Sequence, residues 1–237
     1  MADSYTKLLL HCNGDDASTT ITDSSPSPHT MTAESNAQLD TAQKEFGTAS
    51  VLFAGSNDVV TTPHNSDLNF GTSNFTIDFW IRWSDKTGEQ GLFWKQQDVD
   101  NRWFFYKNPS DQFIIAASIG GVTKATYITD GVSLSNDTWY HIAIVRNGTT
   151  MLFFLNGVSK TFTEAVAVGT NNFGDNTGGV IIGAQGAKTY EFLGWMDEIR
   201  WSNVARWTSN FTPPTDEYNG VVAPIITPFK MMTGFGI

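Results

Sequence analysis

FLGWMDEIRWSNVARWTSNFTPPTDEY, residues Phe192 to Tyr218, decides the fold: a strand-like carboxylate pair runs into a turn and ends on a Pro-Pro stop. Strict alternation across it predicts Trp195, Asp197, Ile199 and Trp201 on one face of an extended segment, with Met196, Glu198 and Arg200 on the other. One acid then points inward or into a loop cleft. Working outward, the clearest strand is FTIDFWIRW, Phe75 to Trp83, where Phe75, Ile77, Phe79, Ile81 and Trp83 alternate with Thr76, Asp78, Trp80 and Arg82. Trp139 to Thr163 carries Asn147-Gly148 and Asn156-Gly157 between alternating apolar runs, which predicts type I′ hairpin turns and a three-strand meander.

Further strands are expected at about Lys7 to Cys12, Ala49 to Ala54, Asp58 to Thr62, Gly91 to Lys95, Arg102 to Lys107, Gln112 to Ser118, Lys124 to Thr129, Gly179 to Gly183 and Tyr190 to Trp201. Helical periodicity is confined to a short stretch near Asn203 to Arg206. Gly14 to Gln43, rich in Ser, Thr, Asp, Asn and Pro, reads alone as a flexible loop or linker. So many short strands separated by turns describe an all-β, two-sheet sandwich.

The Asp-Ser-Ser-Pro turn at Asp23 to Pro26, FTIDFWIRW and the Phe192 to Tyr218 segment together resemble the laminin-G-like, concanavalin A-like jelly roll, in the small form frequent among bacteriophage virion proteins. The resemblance spans Leu8 to Tyr218. It implies a domain over 1–218 and leaves 219–237 as a tail. It also implies that the segment after the first strand wraps an edge of the sandwich.

Composition fits this expectation. Of 237 residues, 40% are hydrophobic and 13% aromatic but only 16% charged, which suits a folded sheet protein and excludes bulk disorder. A formal net charge of −10 with no Lys or Arg cluster opposes nucleic acid as a partner. Cys12 is the sole cysteine, so no intrachain disulfide forms. The start MADSYTKLLLH has too short an apolar run for a signal peptide, and no later segment reads as a membrane span. The expectation is assembly in a host cytoplasm and residence in a virion. Four N-x-Ser/Thr sequons, at Asn74, Asn136, Asn147 and Asn210, follow from an Asn- and Thr-rich composition.

For metal, Asp15, Asp16, Asp23 and Asp197 are the best carboxylate constellation, since calcium takes oxygen ligands from acids and turn carbonyls. The resemblance implies a calcium held by Asp23 and Asp197, with Asp15 nearby; relatives often carry Asp where this chain has Asn13, which removes one charge. The alternative is that Asp23 caps the Ser24-Ser25 turn and Asp197 pairs with an Arg.

For ligands, aromatic rings stack on sugar faces, and Trp80, Trp94, Trp103, Tyr106, Tyr127 and Tyr140 offer such surfaces. Trp80 with Arg82 lies opposite the core face of its strand, and Trp103 is the third candidate; most of the eight Trp and 17 Phe must fill the core. Catalysis finds no support. The Glu-x-Asp-x-x-Glu run of laminarinase-like relatives is absent, and adjacent Asp197 and Glu198 should face opposite sides of a strand. His141 sits in an alternating strand and is expected to be packed.

After Tyr218 the chain turns apolar but is punctuated by Pro224, Pro228, Gly234 and Gly236. Val221, Ile225, Phe229 and Phe235 are expected to form an assembly arm that buries itself on other virion proteins or on copies of this chain. The expected function is thus a non-catalytic virion surface protein, on capsid or tail, with cell-surface glycan as a further partner. The alternatives are a bacterial carbohydrate-binding module and a divergent glycosidase.

Overall fold

The computed structural model describes residues 2–218, so the expectation for Val221, Ile225, Phe229 and Phe235 lies outside the described residues. Sixteen strands follow in chain order: β1 (Thr6–Leu10), β2 (Thr32–Glu34), β3 (Gln38–Asp40), β4 (Ser50–Phe53), β5 (Val59–Thr62), β6 (Phe75–Trp83), β7 (Gln90–Gln96), β8 (Arg102–Lys107), β9 (Phe113–Ile119), β10 (Val122–Thr129), β11 (Trp139–Asn147), β12 (Thr150–Leu155), β13 (Val158–Lys160), β14 (Phe162–Val166), β15 (Val180–Ile182) and β16 (Gly194–Ser202). They form two eight-stranded antiparallel sheets. Sheet I runs β13-β12-β11-β6-β16-β4-β3, with β1 also paired to β16; sheet II runs β14-β10-β9-β8-β7-β15-β5-β2. This is the all-β, two-sheet sandwich that the alternation implies, in the jelly-roll class that the resemblance implies.

The alternating side chains fill the space between the sheets. Phe75, Ile77, Phe79, Ile81, Met151 and Phe153 are at most 3% exposed and Leu155 is 8% exposed. Rings cross the gap at contact distance, Phe79 to Phe93 at 4.9 Å and Phe113 to Phe153 at 5.1 Å. Each such pair adds about 0.5–1.5 kcal/mol beyond its area burial. Arg146 also points inward, yet its guanidinium donates to the carbonyls of Gly71, Gly148 and Gly169, so no charge is left unsolvated.

The Gly14–Gln43 stretch is not a linker. It contributes β2 to the edge of sheet II and β3 to the edge of sheet I. Asn203 to Arg206 forms a bend instead of a helix, and the only helical turn among the described residues is the 3₁₀ segment Ser66–Leu68. The two Asn-Gly hairpins differ from each other. Leu155 pairs with Val158, leaving Asn156 and Gly157 at φ of 50° and 73°, the type I′ pattern. Asn147 instead pairs with Thr150, so the loop residues are Gly148 and Thr149. Only Gly148 has positive φ (62°), which fits type II′. No helix among the described residues is long and apolar enough to cross a membrane.

Beyond β16 the chain does not leave the sandwich. Residues 203–218 run as a strap over the outer face of sheet I. Trp207 stacks on Phe211 at 4.0 Å, and Phe211 meets Phe154 and His141 edge-on. The strap is pinned where Phe211 N donates to Gly157 O at 2.9 Å. A Cβ on Gly157 would lie 1.9 Å from the Phe211 carbonyl oxygen, so this glycine serves both the turn and the crossing.

Candidate functional site

The outer face of sheet I is set by a β-bulge that alternation alone does not reveal. Asp197 pairs with Trp80 and Arg200 with Asp78, so Glu198 and Ile199 together oppose the single residue Phe79. Glu198 sits at φ 49°. The bulge shifts the phase of the strand. Met196, Ile199 and Trp201 enter the core, while Trp195, Asp197 and Arg200 face outward. This corrects the expectation that Trp195, Asp197, Ile199 and Trp201 share a face. It also places both carboxylates on the outer side, where Asp197 meets the 45–46 loop and Glu198 meets His11 and the backbone N–H of Tyr218.

Under the strap lies a buried polar cluster. Arg200 holds Asp78 bidentately at 2.8 and 3.0 Å and places its guanidinium 4.0 Å from the centre of the Tyr218 ring. Tyr218 Oη and His141 Nε2 are 3.0 Å apart. Burial opposes ionisation of Asp78, but Arg200 and His141 outweigh it and hold the carboxyl at about 2. Burial pushes His141 down from its ordinary value. The imidazole is fully buried and packed, as the sequence implied.

Beside this cluster a cleft of about 480 Å³ opens between the 45–46 loop and the end of the strap. Its lining includes Trp80, Trp139 and Phe46 as apolar surfaces, Glu45 and Asn156 as polar groups, and Pro213 and Pro214 as a rigid wall. Trp80 stands edge-on to Phe46 at 5.6 Å and is 9% exposed, and its indole N–H is buried with no acceptor among the described residues. The loop is held over the sheet because Asp197 Oδ2 accepts from the N–H groups of Glu45 and Phe46 at 2.9 and 3.0 Å. Burial raises Asp197 to about 7, against the backbone donors that favour its carboxylate. Burial likewise raises Glu45. Such a cleft presents flat apolar rings beside hydrogen-bonding groups and contains no pair of free carboxylates facing across it.

Of the three ligand candidates, only Trp80 lines this cleft. Arg82 lies on the same outer face but is engaged with the Asp137 carboxylate at 3.0 Å and stacks over Trp195. Trp103 is fully buried in the core, 5.2 Å from Trp201. Its strand, RWFFYK, is apolar on both faces, so periodicity did not say which face goes in. Glu45, Phe46, Asn156 and the proline wall escaped the sequence reading because they are distant in the chain, and only the fold assembles them.

The carboxylates of Asp15, Asp23 and Asp197 do not converge within 4.8 Å of one another as a ligand group. Asp23 accepts from Leu9 N, Ser25 N, Ser25 Oγ, His29 N and the His29 ring at 2.7–2.9 Å. It is therefore a turn cap, while Asp197 pairs with backbone N–H groups and not with an Arg. Oxygens surrounded by N–H donors face the positive ends of dipoles, an unfavourable setting for a calcium ion. Asp15 is exposed.

A laminin-G family model, described as the concanavalin A-like lectin/glucanases superfamily, matches residues 54–209. The chain belongs to this superfamily. No curated protein sequence matches the laminin-G-like chain. Among solved structures it is similar to the binding domain of Paraclostridial Mosquitocidal Protein 1, at 18% identity and a TM-score of 0.64, covering 85% of this chain and 49% of that one. The botulinum neurotoxin serotype D binding domain matches at 17% identity and a TM-score of 0.62, covering 85% and 48%. Domain 4 of AbnA, an extracellular GH43 arabinanase from Geobacillus stearothermophilus in complex with arabinotriose, matches at 14% identity and a TM-score of 0.63, covering 86% and 94%. The chain thus spans about half the length of the toxin binding domains and nearly all of the arabinanase domain. At these identities the likeness is one of fold.

Proposed function

We propose that this laminin-G-like chain is a non-catalytic carbohydrate-binding domain whose glycan site is the cleft over Trp80. The observation that carries the reading is the lining itself: Trp80, Trp139 and Phe46 beside Glu45 and Asn156. Sugar rings need flat apolar surfaces for their C–H faces and acceptors or donors for their hydroxyls, and this lining supplies both. Several similar folds are binding domains, and one was solved with arabinotriose, which supports the class of ligand without choosing the sugar.

The test is calorimetric titration of the chain with an oligosaccharide panel that includes arabinotriose. Trp139→Ala and Glu45→Gln should each weaken binding about tenfold, the loss of one stacking or hydrogen-bonding contact. Tyr190→Ala, on an exposed side chain elsewhere, should leave it unchanged. Binding that survives both cleft variants, or no binding across the panel, overturns the assignment.

A second reading places the domain on a virion surface, where a cell-surface glycan would be its target. It is favoured by the apolar run beginning at Val221, whose Val221, Ile225, Phe229 and Phe235 supply side chains suited to a partner surface. Gold-labelled antibody against residues 2–218 should decorate purified particles; particles without label count against it.

A further inference from the structure

Three donors outside the glycan cleft converge where the end of the first strand, the β16 bulge and the end of the strap meet. They are His11 Nδ1 and one carboxylate oxygen each of Glu198 and Glu217, all within 4.8 Å of one another, the only such group among the described residues. We propose that His11, Glu198 and Glu217 form a binding site for a first-row divalent cation of the zinc class.

The donor chemistry selects the ion. An imidazole nitrogen with two carboxylates suits zinc or cobalt, whereas calcium takes oxygen throughout. Neutral imidazole and two carboxylates carry a charge that one divalent ion cancels. His11 Nδ1 already lies 2.8 and 3.0 Å from the two oxygens of Glu198. Ligands on a tetrahedral zinc stand about 3.3 Å apart, given metal–ligand distances of about 2.0–2.1 Å. The pair therefore has to open by only a few tenths of an ångström, exchanging a shared proton for the metal.

The surroundings are built to hold such a group. Glu198 is fully buried, and one of its oxygens accepts the Tyr218 N–H at 2.7 Å, which orients the carboxylate. The bulge, with Glu198 at φ 49°, is what turns this side chain out of the ladder toward His11. Asn13 donates its amide to Glu217. Gly47 completes the cradle: a Cβ there would lie 2.6 Å from Glu217 Oε1 and 2.1 Å from Asn13 Oδ1, so only glycine leaves the space. The His11 side chain remains 24% exposed, giving an ion and a fourth, water ligand a route in.

The experiment uses the full chain, stripped with chelator and titrated with zinc chloride by calorimetry, with cobalt absorption spectra alongside and calcium chloride as comparison. The expected result is one zinc per chain, tetrahedral cobalt bands in the visible, and no competition from millimolar calcium. Glu217→Gln, on the solvent side, and His11→Ala should each lower zinc affinity at least about tenfold, while circular dichroism shows the sandwich intact. Absence of zinc binding overturns the site. So does zinc binding unchanged in both variants, which would locate the ion at His29 or His64, and so does calcium binding with equal strength.

Discussion

Asp78 shows how much a single side chain carries when it is buried with its partner. Its carboxyl is fully enclosed, and the Arg200 guanidinium is held by it alone among the acids of the described residues. Asp78→Asn leaves that guanidinium buried without a counter-charge, and the expected loss is about 3–5 kcal/mol by urea unfolding. The pH dependence has a definite sign. The folded carboxyl titrates at about 2, below its ordinary 3.8. Its contribution is therefore complete above about pH 4 and is lost as pH falls through about 2. Near 1.4 kcal/mol per unit, that is about 2 kcal/mol, and the Asn variant should lack this limb of the acid profile. A wild-type profile flat between pH 4 and 2 would contradict it. Legibility at this scale followed burial chemistry: Asp23 could be read as a turn cap because Ser24 and Ser25 follow it. The cluster of Asp78, His141, Arg200 and Tyr218 joins residues far apart in the chain, and no local pattern encodes that.

Elements were legible where period 2 was strict. β6 and β12 bury the residues their alternation marks, and the Asn156-Gly157 dipeptide places its turn. The short edge strands β2 and β3 were not, because Ser, Thr and Asp resemble loop sequence and only pairing with β5 and β4 makes them strands. β16 was half legible. Its existence shows in the sequence, but the extra residue at the bulge inverts every assignment after Glu198. Deleting Glu198 should remove the bulge and leave Met196, Ile199 and Trp201 pointing into the core in plain alternation with Asp197 and Arg200. The expected outcome is soluble protein with native near-ultraviolet dichroism. A deletion variant that is insoluble or lacks near-ultraviolet dichroism would show that the core packing of β16 does not follow from this register.

At the scale of the molecule, the strap closes the outer face of sheet I. Without it Phe154, Ala143 and Val145 lose the Trp207 and Phe211 cover, and the Asp78 cluster loses Tyr218. A chain ending at Tyr218 should unfold at the full-length temperature, since the described core is complete by that residue. A chain ending at Ser202 should be less stable by at least about 3–6 kcal/mol, the burial of two large aromatics, as read by thermal denaturation. Equal stability of the two truncations would show the strap to be dispensable. A sheet-by-sheet sandwich was foreseeable from composition and alternation; a second, outer layer was not. The sequence between Asn203 and Tyr218 has no period, and its aromatic residues acquire meaning only from the face they land on.

The central position of β16 also has a consequence in time. β16 lies between β6 on one side and β4 with β1 on the other, so before it is in place sheet I exists as separate pieces. A chain emerging from the ribosome can form the β11–β12 hairpin early, but it cannot join its first strand to the rest of sheet I until residue 202 has cleared the exit tunnel. Completion of sheet I is therefore postponed until β16 has emerged, with apolar strand faces waiting for their last partner.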